Sequence, residues 1–138
     1  MIFDKLDKYS DLGLLILRVG IGIMFICHGY PKILDGVDEW TRLGSNLSHL
    51  GINFAPTFMG LSAALAEFVG GVLLVLGLLT RPACIFLCIT MTVATVMHIS
   101  EEHDFKKYSH ALEAAILFFS LVFIGPGKYS FDRKFSMH

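Results

Sequence analysis

Apolar positions fall into four long stretches separated by polar or charged breaks. They run from Leu12 to Leu34, from about Pro56 to Leu79, from about Pro82 to Ile99, and from about Ser109 to Ile124. Each is near the ~20 residues that cross a ~30 Å hydrocarbon core as helix. Helix is the economical choice there, because backbone groups in lipid must find partners within their own segment. The breaks differ. Thr80-Arg81-Pro82 predicts a tight turn, with Pro82 in the first turn of the next helix. Ser100 to Tyr108 is short and charged, whereas Asp35 to Ala55 is long. In the long break, Trp40, Leu43, Leu47 and Leu50 recur at helical spacing. That spacing predicts a short amphipathic helix in the membrane interface, with Trp40 at headgroup level; an ordered surface loop is the alternative. No internal repeat stands out. The expected fold is all-α, an integral membrane four-helix transmembrane bundle in one domain spanning residues 1–138.

Composition agrees with this pattern. Of 138 residues 54% are hydrophobic and 17% charged, with mean hydropathy +0.65 and net charge −1. Soluble domains are rarely so apolar. No basic stripe exists to neutralise phosphates, so a nucleic-acid partner is not expected. The charged start, with Asp4, Lys5, Asp7, Lys8 and Asp11, leads into a run too long for a signal-peptide core; it is expected to stay as the first membrane helix. No lipidation motif is expected at either end. Cys84 and Cys88 lie one helical turn apart and Cys27 lies on another helix. Three cysteines make no disulfide framework; they read as small packing residues, with a redox or metal pair as the alternative.

Charge at the helix ends sets the expected orientation. Lys5, Lys8, Arg81, Lys128, Arg133 and Lys134 fall on one side, Lys32, Arg42, Lys106 and Lys107 on the other. The bias places both termini in the cytoplasm and the two acidic loops outside.

Seven ionisable residues lie within or at the edge of the apolar stretches: Arg18, His28, Lys32, Glu67, His98, His110 and Glu113. A charge at the bilayer centre costs ~2.5–3.5 kcal/mol on insertion scales, so such residues usually face the interior and have a partner or a function. At 100° per residue, Arg18, Gly22, Phe25, Gly29 and Lys32 share a stripe of the first helix, with His28 at its margin. Gly60, Ala63, Glu67, Gly70 and Gly71 share a face of the second, a small-residue stripe that lets a helix approach closely, within the chain or in a homodimer. Cys84, Cys88, Met91, Thr95 and His98 line one stripe of the third, and His110 and Glu113 are i, i+3 neighbours on the fourth. With both termini inside, His28, Lys32, His98, His110 and Glu113 all fall toward the outer leaflet and are expected to form one site. Glu67 lies near the middle, and Arg18 in the inner half. His49, His103 and His138 are expected to be solvated.

Several uses fit these residues. One is a structural polar network that fixes helix register, with Lys32 snorkelling. Another is a site for a hydrophobic ligand with polar atoms, such as a quinone, whose carbonyls accept from His, Lys or Arg beside a proton-relaying carboxylate. Metal ligation by His28, His98, His110 and Glu113, or haem ligation by a His pair, has weaker motif support.

The text LLILRVGIGIMFICHGYPKI in the first helix, LAEFVGGVLLVLGLLTRPA in the second and the tail GPGKYSFD resemble the DoxX family of small membrane proteins, over roughly residues 12 to 132. The matching positions are Arg18, His28, Gly29, Lys32, Glu67, Gly70, Gly71 and Arg81; His98, His110 and Glu113 are added from geometry. The resemblance implies a four-helix bundle in a bacterial cytoplasmic membrane. The family takes its name from a subunit of a thiosulfate:quinone oxidoreductase, but this chain has no thiosulfate-specific signature and no flavin or nicotinamide motif. The expected function is binding of a quinone-like or lipidic ligand, as a subunit beside an oxidoreductase partner. His28, Lys32 and His98 would hold the head, Glu67 and Glu113 would balance charge or relay protons, and Arg18 would pair with Glu67 or bind a second ligand group. The competing class is a non-enzymatic scaffold or assembly partner with a closed polar network. A transporter is disfavoured, with four helices and no repeat or broken helix.

Overall fold

The computed structural model describes residues 2–136, so His138 lies outside the described residues. A 3₁₀ segment, Phe3–Tyr9, leads into α1 (Ser10–Leu34). Then follow α2 (Val37–Ser45), α3 (Pro56–Leu76), α4 (Thr80–Ser100), α5 (Phe105–Ile124) and the short α6 (Phe131–Phe135). Among the described residues, four helices, α1, α3, α4 and α5, are long and apolar enough to cross a membrane.

The helix ends follow local chemistry. Gly77 takes a left-handed φ of 66° and Leu78 N–H returns to Leu73 O at 3.0 Å. This closes α3 at Leu76, earlier than the apolar run suggests, because the run carries on through the turn. The α4 start is capped from far away: Asp132 accepts from Leu79 N–H at 2.7 Å and from Thr80 N–H at 2.8 Å. Lys128 N–H donates to Asp11 at 2.9 Å, so the start of α1 and the segment after α5 meet on one side of the bundle. We call this the terminal side, and the opposite side, which carries α2 and the α4–α5 turn, the loop side. α5 begins at Phe105, ahead of the expected Ser109, because charged Lys106 and Lys107 extend the helix beyond its apolar part.

The spanning helices pack in the order α1–α3–α4–α5, while the α1 and α5 backbones scarcely approach one another. α1 and α3 meet on glycine: a Cβ on Gly22 would stand 2.7 Å from Gly71 O, and one on Gly71 would stand 2.6 Å from Gly22 O. The small residues of α3 therefore serve packing inside the chain, and they divide between neighbours. Gly71 faces α1, Gly70 faces Leu87 of α4, and Gly60 lies against Trp40 O of α2. The core between the helices holds Phe25, Leu74, Cys84, Leu87, Met91, Ala115, Phe118 and Leu121. Phe25 and Phe118 meet edge-on, with ring centroids 4.9 Å apart, deep between α1 and α5. The three cysteines are free thiols.

The amphipathic segment of the long loop forms in two pieces, α2 and a 3₁₀ turn over Asn46–Leu50. α2 packs closely on α3. Trp40 Nε1 donates to Lys32 O at 3.0 Å, satisfying a carbonyl that the last turn of α1 leaves open. On the exposed edge of α2, Arg42 hydrogen-bonds Glu39 three residues away, which holds the Glu39 carboxyl below its ordinary range.

Candidate functional site

The seven intramembrane ionisable residues do not gather in one site. They separate into four places, each fixed by its helix register.

Lys32 and Glu67 join α1 to α3. Lys32 Nζ lies 2.9 Å from Glu67 Oε1 and 2.8 Å from Oε2. The Glu67 side chain is 5% exposed and that of Lys32 32%, so the lysine runs from the loop side down to a buried carboxylate. With its backbone carbonyl held by Trp40 and its ammonium by Glu67, Lys32 is occupied at both ends.

Arg18 sits toward the terminal side, 1% exposed. It donates from Nη1 to Leu74 O at 3.1 Å and from Nη2 to Tyr129 O. Its Nε has no hydrogen-bond partner among the described residues. A Cβ on Gly77 would stand 2.2 Å from Nη1, so the glycine that ends α3 also makes room for the guanidinium. The expected pairing of Arg18 with Glu67 is therefore corrected. α1 and α3 are antiparallel, Arg18 lies level with the end of α3, and Glu67 is seven residues before Leu74, roughly 10 Å along the axis.

His98 stands at the loop-side end of α4 and turns to its own connection. His98 Nδ1 and His103 Nδ1 are 2.9 Å apart, and Glu101 Oε2 is 3.7 Å from His103 Nδ1. This corrects two expectations: His98 does not join His28, Lys32, His110 or Glu113, and His103 is a partner rather than a solvated loop residue. The reason is that α4 lies across the bundle from α1, with α3 and α5 between.

His28, His110 and Glu113 do come together. His28 and His110 approach with ring centroids 6.2 Å apart across the α1–α5 seam. With Glu113 they line a recess of about 260 Å³, completed by Ile21, Met24, Phe25, Ala114 and Leu117. Leu117 is shared with a second recess of about 590 Å³ on the terminal side, whose apolar wall is Leu14, Leu17, Leu121 and Ile124. The two form a groove along the seam, with His28, His110 and Glu113 at one end, Ser10, Asp11 and Ser120 at the other, and apolar side chains between. His28, His110 and Glu113 are all exposed on the flank of the bundle. The i, i+3 spacing of His110 and Glu113 was legible; their outward aspect was not, because it depends on the gap between α1 and α5.

Sequence reasoning passed over Asp132 and Asp11, whose carboxylates tie the tail to the helix ends. The signal available was the tail GPGKYSFD itself, with Asp132 closing it.

Comparison with known proteins places this architecture. Residues 13–99 match the DoxX family. The chain is 35% identical to an "Uncharacterized protein" of Haemophilus influenzae, over 96% of this chain and 97% of the relative. It is 30% identical to "Inner membrane protein YqjF" of Escherichia coli, over 93% and 95%. It is 32% identical to "Putative oxidoreductase CatD" of Bacillus subtilis over 66% of this chain and 63% of that one. No solved structure matches the chain significantly. With four apolar helices and inner-membrane relatives, the protein is a membrane protein, and the chain belongs to the DoxX family.

Proposed function

We propose that the chain binds a quinone-like isoprenoid ligand in the α1–α5 groove, as the membrane subunit of an oxidoreductase. The polar head would lie between His28, His110 and Glu113, and the tail along Leu14, Leu17 and Leu117. The observation that carries this reading is a polar cluster exposed on an apolar flank, at the end of an apolar groove. Exposing a carboxylate and two imidazoles to hydrocarbon is costly, so a polar group from a ligand is the natural complement. Imidazole can donate to a ligand carbonyl, and a neighbouring carboxylate can exchange the protons that accompany reduction. A partner subunit would supply the electrons. The name of the Bacillus subtilis relative, which calls it an oxidoreductase, agrees with redox work of this kind.

A different reading suits Lys32, Glu67 and Arg18. Lys32 and Glu67 are paired with each other, and the two terminal nitrogens of Arg18 are held by main-chain carbonyls, so these three act as structural fasteners. The test is mass spectrometry of an organic extract of the purified, detergent-solubilised protein. A stoichiometric isoprenoid in the native protein, absent from folded His28→Leu/Glu113→Leu, is the expected result. Bulk phospholipid alone in both samples sinks the proposal.

A further inference from the structure

The end of α4 carries a second cluster, His98, Glu101 and His103, none of which lines the groove. The helix closes with His103 N–H bonded to His98 O at 3.0 Å and Glu102 N–H bonded to Ile99 O at 3.0 Å. This closure needs one left-handed residue, usually glycine, and usually sets two apolar side chains against each other across the turn. Here the left-handed residue is Glu102, with φ 57°, and the side chains brought together are His98 and His103. A left-handed non-glycine residue is strained.

One ligand atom each from His98, Glu101 and His103 lies within 4.8 Å of the other two. Zinc–nitrogen and zinc–oxygen bonds of 2.0–2.2 Å arranged tetrahedrally put ligand atoms about 3.3 Å apart. The His98–His103 separation of 2.9 Å and the Glu101–His103 separation of 3.7 Å fall on either side of that value. The remaining edge, from His98 to Glu101, is within 4.8 Å, and rotation of the exposed Glu101 side chain can shorten it. Two imidazoles and one carboxylate suit a borderline divalent ion rather than calcium or magnesium, which prefer all-oxygen shells.

We propose that His98, Glu101 and His103 form a binding site for a divalent transition-metal ion, Zn²⁺ by its donor set, with a fourth position open to water. The site stands on the loop side and is independent of ligand binding in the groove. The ion would fasten the end of α4 to the turn that leads into α5.

The full chain, purified without a histidine tag and stripped with chelator, is titrated with Zn²⁺ by calorimetry. One ion per chain is expected, with binding weakened at least about tenfold in His98→Ala and in His103→Ala, since each loses one of three protein ligands. His49→Ala should bind as the native protein does. Co²⁺ added to the unsubstituted protein provides a measurement that needs no variant, and a strong visible band of a four-coordinate ion is expected. Absence of stoichiometric Zn²⁺ binding, equal binding by the native protein and by His98→Ala or His103→Ala, or only the weak spectrum of hydrated Co²⁺ would each overturn the proposal.

Discussion

Replacing Lys32 by methionine keeps most of the side-chain volume and removes the charge that faces Glu67. At 2.8 Å and an effective dielectric of about 20, the attraction between the two charges is about 6 kcal/mol. Desolvation costs several kcal/mol for each ion, so the intact pair is close to break-even against an apolar substitute. The variants should not be equivalent, because the partners differ in exposure, 32% for Lys32 and 5% for Glu67. Lys32→Met strands a nearly buried carboxylate and should destabilise by about 3–5 kcal/mol. Glu67→Gln frees a lysine that can extend to the interface, and should cost about 1–2 kcal/mol. The double variant Lys32→Met/Glu67→Met should recover most of the larger loss. The assay is reversible denaturation in mixed micelles, followed through Trp40, the single tryptophan, which is bonded to Lys32 O. Equal small losses in the two single variants, adding in a double variant, would refute a closed, buried pair.

Two further outcomes are expected. Asp132→Ala removes the acceptor for two N–H groups at the start of α4 and should cost about 1–2 kcal/mol, read in the same denaturation assay, with the tail becoming sensitive to protease. Reporter fusions at the C-terminus should give a cytoplasmic signal and fusions in the α4–α5 turn an external one; the opposite pattern would reverse the orientation inferred from lysine and arginine.

Much of the fold was legible because lipid makes strong demands on sequence. Uninterrupted apolar length separates the four spanning helices, and the stripe of Arg18, Gly22, Phe25 and Gly29 is the buried face of α1. The site was legible only in part. Periodicity on one helix says which residues share a face but not which neighbour that face meets. His28, His110 and Glu113 converge because α5 comes round to α1, whereas His98 is carried away by α4. Arg18 misled for a related reason: its acceptors are main-chain carbonyls at Leu74 and Tyr129, and carbonyls leave no mark in a side-chain pattern. Asp132 was hidden by distance, since it caps a helix that starts 52 residues earlier.

The Arg18 contacts also bear on how the protein is made. The guanidinium belongs to the first membrane helix, but its acceptors lie 56 and 111 residues downstream. During synthesis α1 reaches the membrane before Leu74 has been placed and long before Tyr129 exists. The first helix therefore enters the membrane before either of the acceptors that hold its cation in the folded protein is in place. The tail that supplies Tyr129 O also brings Asp132 to α4, so one late docking event completes both ends of the terminal side. A chain halted before the tail emerges lacks the Tyr129 acceptor for Arg18 and the Asp132 cap on α4, so the terminal side closes only when the tail docks.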